Sequence, residues 1–273
     1  MLMRLRERRV FKPWGRTDTP ERFGGETSEP LGEIWFQRED GQADPLLIKY
    51  LFTSARLSVQ VHPDDAAARE AGHARGKDEA WFVLDADPGA SIGIGLKEPV
   101  TSEELRAAAL GGSIAEMLDW RAVAPGDAYY SPAGTLHSIG GGLTLLEVQQ
   151  NCDVTYRLYD FGRPRELHLA EGVAAARTDA TIGKSIEKNL GNGRSIIAQG
   201  PKFTVERCRA AAIRLRASET EPLWLIPQDA PVTANGTPLE GASVWIADEP
   251  VDVEMKGGEL LIAYEGTSPP DAG

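Results

Sequence analysis

Leu57-Ser58-Val59-Gln60-Val61-His62 is the stretch on which the reading of the fold turns. Leu57, Val59 and Val61 alternate with Ser58, Gln60 and His62, the period of a strand with one apolar and one polar face. Such a polar face meets water on an edge or surface strand. Equally, it can point into a barrel, where Gln60 and His62, two residues apart on one face, are close enough to share an ion. The surroundings are also strand-like: 32–37 and 46–52 before it, then 81–84, 90–94, 128–130, 143–149 and 155–159. The best helix pattern is 102–120, with Ser102 as its cap, Glu103 and Glu104 in its first turn, and Gly111-Gly112 interrupting it. Shorter helices are expected from Pro63 and over 169–177.

Beyond Arg163-Pro164 come further short strands, at 195–198, 203–207, 212–215, 222–226, 243–247, 251–255 and 259–264, with a hairpin turn at Asn235-Gly236. Strands recurring at roughly 8–12 residues make a sandwich or barrel. The expected architecture is mainly β, in two β-rich units, residues 1–163 and 164–273, with short helices inserted in the first.

Composition narrows the function classes. The 273 residues are 41% hydrophobic and 26% charged, ordinary for a soluble globular protein with a sizeable core. A formal net charge of −12 without any Lys/Arg-rich block argues against nucleic acid or an anionic membrane as partner. The same field repels small anions, so a site for one needs a local cluster of cations. Two cysteines without a CxxC fit neither a disulfide scaffold nor a zinc finger, and suit a reducing cytoplasm. Met1–Val10 lacks the apolar core of a signal peptide, and no stretch approaches the roughly 18 apolar residues of a membrane span. The expected location is the cytoplasm. No motif speaks to oligomeric state.

A second motif is Gly126-Asp-Ala-Tyr-Tyr-Ser-Pro132-Ala-Gly134-Thr-Leu-His137. Taken plainly it is a Pro-Gly hairpin with an incidental histidine. As a whole it resembles the second signature of the cupin superfamily, in which such a hairpin presents one histidine to a metal inside a small barrel. The Asn usual four residues past that histidine is Gly141 here. A third motif, Gly76-Lys77-Asp78-Glu79, taken alone is a solvated Lys-x-Glu turn. In company it supplies the carboxylate of the first cupin signature, although Gln60-x-His62 replaces the usual His-x-His and sixteen residues separate His62 from Glu79.

With these motifs in order, the chain resembles the type I phosphomannose isomerases. The resemblance is carried by Lys12-Pro-Trp-Gly15, Gly32-Glu-Ile-Trp35, Leu57 to Asp64, Gly76 to Glu79, Pro132 to His137 and Leu145 to Arg163, about residues 12–163. It implies double-stranded β-helix (cupin/jelly-roll) barrels, with residues 164–273 a degenerate second cupin. It implies metal ligands at Gln60, His62, Glu79 and His137, substrate binding by Ser58, Lys49 and Arg157, and catalytic roles for Arg157, Lys77 and Glu147. The implied reaction interconverts mannose 6-phosphate and fructose 6-phosphate through an enediolate.

The ligand set makes chemical sense. Two imidazoles, a carboxylate and an amide oxygen suit one Zn²⁺ per chain, and Mn²⁺, Co²⁺ or Fe²⁺ also accept mixed N/O donors. Free imidazole protonates near pH 6.5, which sets the expected acid limit. For the proton-transfer base there are three candidates: Lys77, favoured because its spacing ties it to Glu79; Glu147, in an apolar strand where burial would raise its pKa; and metal-activated water. His73 and His168 lie outside every motif and read as surface residues. Two other classes stay in view, a metal-dependent cupin dioxygenase and a non-catalytic sugar-binding cupin.

Overall fold

The computed structural model describes residues 1–179, 182–228 and 231–271. Four antiparallel sheets carry most of its regular secondary structure. A six-stranded sheet runs in the order Arg6–Asp18, Glu26–Gln37, Leu46–Thr53, Leu143–Gln150, Glu79–Ala86 and Ala128–Ser131. It faces a five-stranded sheet of Tyr156–Tyr159, Val59–Val61, His137–Ile139, Ser91–Leu96 and Leu118–Ala122. Leu51, Trp81, Val83 and Leu145 from the first meet Ile92, Ile94 and Ile139 from the second in one apolar cluster.

The other face of the six-stranded sheet is equally apolar. Ile48, Tyr50, Phe52, Phe82, Leu146 and Val148 pack there against Ile197, Phe203, Val205, Trp224 and Ile246 of a seven-stranded sheet. A four-stranded sheet closes the far side, with Val232, Val251 and Val253 against Leu223, Leu225 and Ile262. The layers therefore run five, six, seven, four. This explains why Leu46–Thr53 is buried at every residue: alternate side chains serve different cores. Trp224 is fully buried at the junction of the two middle sheets. Trp224→Ala should destabilise the fold by about 3–5 kcal/mol, as large core truncations do, read as a lowered midpoint in urea.

Local departures from the sequence reading have identifiable causes. Thr101, not Ser102, caps the first long helix, Ser102–Gly111, in a reciprocal capping box with Glu104. After Gly112 in the left-handed region and a short turn of helix, Ile114–Met117, the chain becomes the strand Leu118–Ala122, where helix was expected. Long-range pairing decides this, since Gly93 lies opposite Trp120 and an added Cβ there would sit 3.0 Å from the indole. Asp64 rather than Pro63 starts the helix Asp65–Glu70, accepting the amides of Ala66 and Ala67. Among the strands not foreseen are Leu2–Arg4, Arg6–Asp18 and Lys188–Gly191, and the first pairs with Trp245–Ala247 in the seven-stranded sheet. The Asn235-Gly236 turn is present, with φ of 48° and 75°. Among the described residues no helix is long and apolar enough to cross a membrane.

Candidate metal centre and its surroundings

Both faces of the strand Val59–Val61 are covered. Val59 and Val61 lie under the helices with Leu105, Ala108 and Leu118, and the alternate side chains turn toward the six-stranded sheet. Gln60 stands between His137 and Arg157 in one register row. Glu79 opens its strand in the facing sheet. The result is convergence: His62 Nε2 lies 3.3 Å from Glu79 Oε1, and His137 Nε2 lies 3.5 Å from Oε2.

All three side chains are buried, and their ligand atoms lie within 4.8 Å of one another. Each imidazole presents Nδ1 to a backbone carbonyl, that of Val154 at 2.8 Å for His62 and that of Thr135 at 2.9 Å for His137. An Nδ1–H that donates there leaves the Nε2 lone pair pointing at Glu79, as a metal ligand requires. Neither Glu79 oxygen has a well-aligned hydrogen-bond donor, although Lys77 Nζ stands 2.7 Å from Oε1. Two inward lone pairs and an undersatisfied buried carboxylate are the donor set of a divalent cation, and the group fits one. Gln60 borders it, with Nε2 3.2 Å from His137 Nε2 while Oε1 accepts from Ser58 Oγ at 3.0 Å. A half-turn of the amide presents the oxygen instead.

Burial sets the titration of the group. It lowers His62 and brings His137 down to about 4. This corrects the expected acid limit near 6.5, because neither imidazole behaves as a free one. For Glu79 burial works against ionisation, and its electrostatic interaction with the facing His62 and with the Lys77 ammonium outweighs burial, holding it well below the usual carboxylate range.

Beside this group runs a row across the six-stranded sheet: Trp35, Lys49, Glu147, Trp81 and Tyr129 stand in register. Lys49 Nζ lies 3.3 Å from Glu147 Oε1, and Trp81 Nε1 donates to Glu147 Oε2 at 3.0 Å. Burial, helped by the charge of Glu79, pushes Glu147 up to about 6. Lys77 moves the other way: burial works to lower it, and Glu79 and Glu147 outweigh burial and raise it. Ser58, Lys49, Lys77, Glu147 and Arg157 all line one cavity with Gln60 and Glu79. Arg157 donates from Nη1 to the Glu166 carbonyl at 2.8 Å and, among the described residues, has no carboxylate within ion-pair distance. His168 is not a bystander, since it exchanges hydrogen bonds with the backbone of Arg157 on both sides, at 3.3 and 2.7 Å.

No family model matches the chain. A mannose-6-phosphate isomerase of Streptococcus mutans is 36% identical over 215 residues, which span 72% of this chain and 66% of that protein, just under two thirds. YvyI of Bacillus subtilis, named for the same activity, is 34% identical over 242 residues, covering 72% of this chain and 76% of its own length. The chain belongs to the mannose-6-phosphate isomerase family. The crystal structure of the mannose 6-phosphate isomerase from Bacillus subtilis matches it with a TM-score of 0.82 at 27% identity, over 96% of this chain and 99% of that one. The mainly β architecture is accordingly the cupin fold of the phosphomannose isomerases.

The cavity also holds residues to which the sequence reading gave no role. Asp153, Thr155, Lys12, Glu33 and Arg165 line the same space. Asp153 and Thr155 lie within the stretch that carries the resemblance, but they fall in a loop between strands, where no alternation tells inward from outward. Arg165 is held by Asp160, whose carboxylate also takes Arg163.

Proposed function

We propose that this chain interconverts mannose 6-phosphate and fructose 6-phosphate, with Zn²⁺ held by Gln60, His62, Glu79 and His137. The observation that carries the reading is the buried His-Glu-His group set beside a buried carboxylate, Glu147, in a cavity edged by Lys49, Lys77 and Arg157. Those cations are the local cluster that an anionic sugar needs in a protein of charge −12. A bound divalent ion supplies Lewis acidity toward the C1 and C2 oxygens of the sugar.

The chain's own residues must then move a proton between C2 and C1 and hold the charge of the enediolate. Glu147 is the better carrier. Its carboxyl titrates at about 6, close to neutral, and Lys49 and Trp81 each hold one oxygen. Lys77 is kept protonated by Glu79 and Glu147, so its role shifts from base to fixed cation. Arg157, which has no carboxylate partner among the described residues, would balance the enediolate or the phosphate. Ser58 and Lys49 line the path to the ion. Residues 164–273 are read as a degenerate second cupin unit. The proton-carrying Glu147 beside the ligands has no use in a cupin dioxygenase or a non-catalytic sugar-binding protein.

The pH dependence follows from Glu147. It must be ionised to accept the proton, so kcat/KM should fall as pH drops through about 6. His137, brought down to about 4 by burial, protonates below that limb. The sign for stability is opposite: a carboxyl raised in the folded state favours folding in its protonated form, a contribution present below its unfolded value and lost as pH rises through about 6. Glu147→Gln should remove the limb and lower kcat by at least ~10²-fold. A wild-type profile flat down to pH 5 would exclude Glu147 as the carrier. The function itself is tested by a coupled assay for fructose 6-phosphate formed from mannose 6-phosphate, before and after chelation and zinc add-back. Metal-loaded protein that does not turn over rules it out.

A further inference from the structure

The segment carrying Lys77 and Glu79 enters its strand from a loop whose backbone is tied at three successive amides. Gly76 N–H donates to Asp65 Oδ1 at 2.8 Å, Lys77 N–H to the Pro63 carbonyl at 3.0 Å, and Asp78 N–H to Gln150 Oε1 at 3.0 Å. The Gln150 amide in turn donates to Asp65 Oδ1 at 3.1 Å. Asp65 is thus where the ties meet. Its second oxygen, Oδ2, is held at 2.6 Å by Lys202 Nζ, from the turn that leads into the strand Phe203–Cys208, 137 residues away. There is no slack between the loop and the helix start, since a Cβ at Gly76 would lie 2.5 Å from the Asp64 carbonyl carbon.

A second strut runs in parallel. Tyr130 donates its hydroxyl to Asp78 Oδ2 at 2.8 Å. The ring of Tyr130 lies on Gly200, where a Cβ would come within 1.9 Å of it, and against Phe203, with centroids 5.0 Å apart. Both struts begin in residues 200–203 and end on residues 76–78.

We propose that Lys202, acting through Asp65, is a positioning residue for the isomerase site, fixing residues 76–79 so that Lys77 Nζ and Glu79 Oε1 each stand 3.3 Å from His62 Nε2. The proposal rests on the function given above. The ammonium on Oδ2 pins the carboxylate so that Oδ1 is presented to Gly76 and Gln150. Without it the carboxylate turns toward water and Gly76 loses its acceptor. Partly exposed ion pairs add little to stability, so the loss registers in site geometry far more than in melting.

The test compares Lys202→Ala, Lys202→Arg, Asp65→Asn and the double variant Lys202→Ala/Asp65→Asn in zinc-loaded protein. Lys202→Ala is expected to lower kcat about 10-fold, the lower end of what outer partners of a metal site contribute. KM for mannose 6-phosphate should stay within about twofold, the melting temperature should move by no more than about 4 °C, and Lys202→Arg should restore most of kcat. The double variant should lose no more than the single ones, because the two residues act as a unit. Unchanged kcat in Lys202→Ala, additive losses in the double variant, or a loss matched by a fall in folded fraction each overturn the proposal. Hydrogen exchange of the peptide 71–80 gives a readout independent of turnover: the Gly76 amide should lose protection in Lys202→Ala. If wild type itself fails on mannose 6-phosphate, the functional reading falls, while the exchange result still decides whether Lys202 holds the segment.

Discussion

His137→Ala is expected to yield folded protein that retains neither a bound divalent ion nor turnover. The side chain is buried to 1% exposure, its Nδ1 is committed to the Thr135 carbonyl, and its Nε2 faces Glu79 and Gln60. Loss of an outer partner of a metal ligand typically costs 10–100-fold in affinity. Removing the ligand itself should therefore weaken zinc binding by more than ~100-fold, and activity should follow the metal. Zinc content after dialysis, measured with kcat on the same sample, decides the matter. A variant that keeps both would show that His137 is not a ligand.

Arg157→Ala separates binding of metal from stabilisation of charge. It should hold zinc as wild type does while kcat drops by about 10²–10³-fold, the usual loss when one donor to a developing oxyanion is removed. That corresponds to about 3–4 kcal/mol of transition-state stabilisation. Arg157→Lys should recover only part of it, because an ammonium is a point charge and cannot match the planar fork of a guanidinium. An Arg157→Ala enzyme within a few-fold of wild type would take Arg157 out of the mechanism.

The legible part of this molecule was the part with short-range pattern. Alternation in residues 57–62 placed Ser58, Gln60 and His62 on one face, and all three side chains turn inward as the barrel alternative required. The regular strand is shorter than the pattern, Val59–Val61, where the ladder with His137 and with Tyr156–Tyr159 forms, and Leu57 outside it still donates its amide to the Ile139 carbonyl. The 102–120 reading failed at its end for the same reason. Leu118 to Ala122 has nothing against helix locally, but the edge of the Ser91–Leu96 strand takes it. Arg6–Asp18 was missed because its first residues are mostly charged and exposed, which reads as a tail. Spacing favoured Lys77 over Glu147 as the base. The proposal of Glu147 rests instead on which carboxylates surround the ammonium and which residues wall in the acid. The Asp65–Lys202 pair joins residues 137 apart and has no signature in either stretch.

One consequence of the layering concerns insertions. Every residue of Leu46–Thr53 is buried, with Lys49 and Leu51 on the cavity side and Leu46, Ile48, Tyr50 and Phe52 in the opposite core. Adding or deleting a single residue within it would reverse the facing of everything downstream in the strand, driving the ammonium that pairs with Glu147 into the oily seam around Phe203 and Trp224. This strand should tolerate conservative swaps of size, and reject any change of length, even though it contributes no atom to the ion.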